Sequence, residues 1–66
     1  MYIVIELQTN ADNSVSNIVT GFNTLPEAYN KYYSILASAA ISELPVHSAM
    51  IATNEGFAVE SKCFKH

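Results

Sequence analysis

Thr24-Leu25-Pro26-Glu27, with the run Ala28-Tyr29-Asn30-Lys31-Tyr32-Tyr33-Ser34-Ile35-Leu36-Ala37-Ser38-Ala39-Ala40 behind it, decides the fold. Thr24 and Glu27 have capping-box spacing: the threonine hydroxyl can accept from the N–H of Glu27 while the Glu27 carboxylate reaches back. Pro26 suits a first helical turn, where the N–H it lacks would have no partner. From Leu25, positions Ala28, Tyr29, Tyr32, Ile35, Leu36, Ala39 and Ala40 form one apolar stripe, and Glu27, Lys31, Ser34, Ser38 and Ser42 recur opposite it. Glu27 and Lys31 are spaced as an i,i+4 ion pair. Leu44-Pro45 ends the helix, because the residue before a proline is pushed out of the α region.

The flanks supply the surface on which that stripe is buried. Met1 to Gln8 alternates, with Ile3, Ile5 and Leu7 on one side and Tyr2, Val4, Glu6 and Gln8 on the other, which is strand periodicity. Asn10 to Ser14 is a run of turn formers, after which Val15 to Phe22 is again extended and β-branched. Downstream, Val46 to Thr53 and Phe57 to Phe64 are two short apolar segments joined by Asn54-Glu55-Gly56, a glycine-containing hairpin turn. The order is therefore ββαββ, an α+β fold: a four-stranded, mostly antiparallel sheet with one helix packed on one face.

A chain of 66 residues leaves room for one domain, residues 1–66, and buries only about 60% of its unfolded surface. Domains this small usually need a staple: a disulfide, a metal or a partner subunit. Cys63 is the only cysteine, which excludes a disulfide within the chain and suits a reducing cytoplasm. Half of the residues are hydrophobic and only 14% are charged, against about 25% in an ordinary soluble domain, so part of the apolar surface is expected to face a partner. Three lysines and a net charge of −3 argue against general binding to a nucleic-acid backbone. No apolar run reaches the roughly 18 residues of a membrane span.

One helix covers one face of a sheet, and both faces of this sheet carry apolar residues. Tyr2, Val4, Val15, Val19 and Met50 are assigned to the uncovered face, and that face is read as a homo-oligomer interface. A β-bulge that shifts the alternation locally is the plainer explanation of the same pattern.

Residues capable of chemistry are few. Cys63, His47 and His66 are too few ligands for a structural metal site within one chain, and no metal or cofactor is expected. Gly21 and Gly56 are the only glycines, so no phosphate-cradling loop exists. Cys63 reads as a small hydrophobe in the last strand and His66 as a frayed terminal residue. The richest cluster is Tyr29-Asn30-Lys31-Tyr32-Tyr33. Its rings could stack on a base, with Lys31 or Lys65 on a phosphate and His47 donating at the rim of a strand; equally, Tyr29 and Tyr32 could be core residues with wet hydroxyls.

The opening Met1 to Asp12, the segment Tyr33 to Ala40 with Leu44-Pro45-Val46-His47, and the ending Cys63-Phe64-Lys65-His66 together resemble a group of small proteins carried by phages and mobile elements of gut Firmicutes. The resemblance spans nearly the full length and carries no catalytic motif. It implies a non-enzymatic binding protein in the host cytoplasm, a homo-oligomer that sequesters a nucleotide-type signal or a host factor in anti-defence. A virion or packaging accessory, or another protein-interaction module without a small ligand, is the alternative.

Overall fold

The computed structural model describes all 66 residues, and the element order is ββαββ. Strands β1 (Tyr2–Thr9) and β2 (Val15–Phe22) precede helix α1 (Leu25–Ala40), and strands β3 (Val46–Thr53) and β4 (Ala58–Lys65) follow it. All neighbouring strands are antiparallel, in the order β2-β1-β3-β4, so the first strand of each hairpin lies in the centre and the second strand of each forms an edge.

Both hairpins close through the same turn. In the first, Asn13 N–H donates to Asn10 O and Asn10 N–H donates to Ser14 O, with Asn13 at φ 69°. In the second, Gly56 N–H donates to Thr53 O and Thr53 N–H donates to Phe57 O, with Gly56 at φ 96°. Each is a tight turn followed by one left-handed residue, the form in which a three-residue loop matches the strand twist. Asp12 fixes the first turn by accepting from the Ser14 N–H and hydroxyl, and these two bonds hold its carboxyl below the usual range against a small opposing effect of burial.

Thr24 caps the helix as the spacing predicts, accepting from Glu27 N–H at 3.4 Å. The return contact differs: the Thr24 hydroxyl donates to Glu27 Oε1 at 2.7 Å. Glu27 is thereby held at the cap, and its expected ion pair with Lys31 does not form within 4.0 Å. The helix also stops before Leu44-Pro45. Its last turn tightens through Ile41 N–H to Ser38 O and Ser42 N–H to Ala39 O, and the Ser42 hydroxyl then accepts from Leu44 N–H.

Ala28, Tyr32 and Ile35 of the helix meet Val4, Ala49 and Ile51 of the two central strands, and Tyr2, Phe22, Leu25, Tyr29 and Leu36 pack around them. The register makes this face continuous, since Val4 lies opposite Ile51 on one side and Thr20 on the other. Val4 and Tyr2 therefore belong to the helix-covered side, which corrects their assignment to the bare one. The bare face of β1 is formed by Ile3, Ile5 and Leu7. Val15, Val19 and Met50 do lie on it, with Ile5 directly between Val19 and Met50.

Candidate functional site

The six residues assigned to a ligand site do not gather at one place. Tyr29 and Tyr33 stack on each other at 5.6 Å between ring centroids and 24° between planes. Tyr32 is buried beneath them, at 5.4 Å from Tyr33. Tyr29 leans toward β4, where its hydroxyl donates to Glu60 Oε1 at 3.4 Å. Burial and the Glu60 carboxylate both push the Tyr29 and Tyr32 phenols above their ordinary value. Lys31 projects from the opposite flank of the helix, where it lines a 320 Å³ groove with Phe22, Glu27, Asn30 and Ser34. Lys65 pairs with Val46 on the bare side of the sheet, away from the helix. The stacking faces and the two cations are thus separated by the helix or by the sheet.

His47 is not at a rim. It is 4% exposed, on the helix-covered face of the sheet. Its Nε2–H donates to Glu6 Oε2 at 2.7 Å, and the Gln8 amide donates to the same oxygen at 2.8 Å. The three come together because Gln8 is the register partner of His47 and Glu6 is its diagonal neighbour. Burial pushes the Glu6 carboxyl up, but the Gln8 amide, the His47 ring and the Lys31 ammonium outweigh it and hold the group below the ordinary carboxylate value. His47 Nδ1 is buried without a hydrogen-bond partner. Sequence reasoning leaves Glu6 out of any site. The available signal was that Glu6 and Gln8 share the alternation of Val4, so polar groups had to enter whichever face that set occupied.

Cys63 lies in β4 as expected, exposed on the bare face opposite Ser48. His66 is not frayed: its N–H donates to Pro45 O, its ring Nε2 donates to Ala39 O at 2.9 Å, and the ring stacks on Phe64.

The remaining candidate is the bare sheet face. Its centre is the row Val19–Ile5–Met50, with Ile3 and Leu7 above and below and Val15 at one corner. Val15 and Val19 are 60% and 59% exposed. Its polar members are Thr9, Asn17 and Ser48 and, on β4, Ser61, Cys63 and Lys65, which face Met50, Ser48 and Val46. Lys65 is the only charged residue on the face.

No helix is long and apolar enough to cross a membrane. No protein-family model, curated protein or solved structure matches the chain.

Proposed function

We propose that this chain is a non-enzymatic protein-interaction module that acts as a homo-oligomer, copies meeting through the bare face of the sheet. The observation that supports this reading is an inversion. The more apolar side of β1, with Ile3, Ile5 and Leu7, points away from the helix, while Glu6 and Gln8 point toward it, where Glu6 accepts from both Gln8 and His47. A monomer would be expected to place its most apolar side under the helix, since burial stabilises by about 25 cal/mol per Å². A second copy suits the face because its centre carries no charge that would select a partner of opposite sign, so two such faces are self-complementary.

The resemblance adds a phage setting and a host-directed role. Of the targets it implies, a protein surface suits this face; a nucleotide would need a stacking ring and a lysine on the same side of one chain, and Tyr29 and Tyr33 spend their facing surfaces on each other. Sedimentation velocity of the wild type and of Ile5→Lys tests the proposal: the wild type is expected to sediment as an oligomer and Ile5→Lys as a smaller species with an unchanged circular-dichroism spectrum. A wild type that stays monomeric at all accessible concentrations overturns it.

A further inference from the structure

The two edges of the sheet are built differently. β4 has the features that natural edge strands use against unwanted pairing: Glu60, Lys62 and Lys65 along its length, and an irregularity where Ile51 pairs Glu60 but Ala52 pairs Ala58, leaving Val59 extra. β2 has none of them. Val15-Ser16-Asn17-Ile18-Val19-Thr20-Gly21-Phe22 contains no charge and no proline, and it keeps an unbroken register with β1 over all 8 residues. Its outer side chains are open to solvent, Ile18 at 51% exposed on the helix side and Val19 on the bare side.

The direction of its hydrogen bonds follows from the turn. Asn10 N–H donates to Ser14 O, so Asn10 and Ser14 are a bonded pair, and antiparallel alternation then turns the even-numbered backbone groups of β2 toward β1. The N–H and C=O groups of Val15, Asn17, Val19 and Gly21 point outward. A Cβ built on Gly21, opposite Ile3, would meet nothing within 4 Å, so the bare face is uncovered at that end of the edge strand.

We infer that β2 pairs antiparallel with β2 of a second copy about a twofold axis through Ile18, and that two such eight-stranded dimers stack bare face to bare face as a tetramer. This rests on the reading of the bare face given above and assigns it a geometry. Centring on Ile18 matches Val15 with Gly21 and Asn17 with Val19, which satisfies all four outward residues in both copies. The distribution of polarity favours β2 as the inner seam. Joining the sheets there brings Ile3, Ile5 and Leu7 of β1 and Val15 and Val19 of β2 from both copies to the middle, with Asn17 between the two valines, and leaves the β4 strands, with Ser61, Cys63 and Lys65, as polar rims, which is the anatomy of a stable interface. Size favours it too. Four strands of eight residues span roughly 500 Å² of sheet, short of the ~800 Å² per partner of a standard interface, whereas the doubled sheet offers about 1,000 Å².

Three variants separate the two contacts. Asn17→Pro removes an outward N–H that the β1 ladder does not use, although the Asn17 side chain lies on the bare face opposite Leu7; Ile18→Lys places a charge on the seam and is off the bare face; Ile5→Lys charges the bare face alone. Native mass spectrometry of the wild type is expected to give a tetramer, Asn17→Pro and Ile18→Lys species smaller than a tetramer, and Ile5→Lys a dimer, each variant retaining the wild-type circular-dichroism spectrum. Tetramers persisting in both folded edge variants overturn the β2 seam and leave the face reading standing. A tetrameric Ile5→Lys overturns the face reading. A monomeric wild type overturns both. If Asn17→Pro fails to fold, Ile18→Lys decides the seam alone.

Discussion

Glu6 and His47, 41 residues apart in sequence, meet at 2.7 Å on the helix-covered face of the sheet, with side chains only 13% and 6% exposed. The contact is diagonal across β1 and β3, and the Gln8 amide completes it. A polar trio in so small a core is expected to be costly to break and cheap to replace. Removing one member of a buried pair leaves the other without its partner, while replacing both with apolar side chains removes the need for either. Glu6→Leu alone is expected to lower unfolding free energy by about 2–3 kcal/mol, and Glu6→Leu with His47→Leu to recover most of that loss. Urea denaturation of the two single variants and the double variant gives the coupling directly. Additive losses would show that the pair is not an energetic unit.

The same contact sets a pH dependence. Glu6 is held below its ordinary value of 4.5 in the folded chain, so the unfolded chain binds its proton first as the pH falls. The stability this contributes is present above about pH 4.5 and is lost as the pH falls through the lower folded value. Asp12, also held low, acts in the same direction from the first turn. Glu6→Gln removes only the first contribution. Its melting temperature should therefore fall less than that of the wild type between pH 5 and pH 3, and parallel curves would rule out a role for Glu6.

Gly56 and Asn13 hold equivalent positions in the two hairpin turns, both left-handed. A β-carbon in this region costs about 1–2 kcal/mol for most residues, whereas asparagine tolerates it. Gly56→Ala is accordingly expected to destabilise the fold by about 1–2 kcal/mol through conformation alone, because its new methyl would touch nothing within 4 Å. Asn13→Gly should shift stability much less. Thermal unfolding of the two variants side by side checks the difference, and equal effects would contradict the account of the turns.

The elements were legible because each is specified locally. Turn formers at Asn10 to Ser14 and Asn54 to Gly56, the Thr24 cap and the β-branched runs place every strand to within a residue or two of where it lies. Which face of β1 is covered was not legible, because Tyr2 and Val4 are as compatible with a core as Ile3 and Ile5, and the choice depends on a partner 41 residues away. His47 could satisfy Glu6 only once β3 paired with β1 in one particular register. For a related reason the tyrosine cluster was legible as core, with Tyr32 buried and Tyr29 packed against it, but not as a site. Tyr29, Lys31 and Tyr33 are close in sequence, but one helical turn sends the lysine to the β2 flank and the rings toward β4.

The last turn of α1 contains no lysine or arginine to meet its unpaired carbonyls, and His66 supplies a donor from the far end of the chain. Because β4 runs alongside β3, its end returns to the Pro45 segment just beyond the helix, where His66 N–H bonds Pro45 O and the ring reaches Ala39 O. The contact ties the helix C-terminus to the sheet edge, so its loss should be felt locally before it is felt globally. His66→Ala is expected to cost about 0.5–1.5 kcal/mol, the net worth of an ordinary hydrogen bond. Amide hydrogen exchange should accelerate selectively at Ile41 and Ser42, whose N–H groups close the last turn, and at residue 66 itself, while Val4 and Ile51 in the core remain protected. Uniform acceleration across the core would instead mean that His66 supports the whole domain, and an unchanged last turn would mean that the Ala39 contact contributes nothing to holding it.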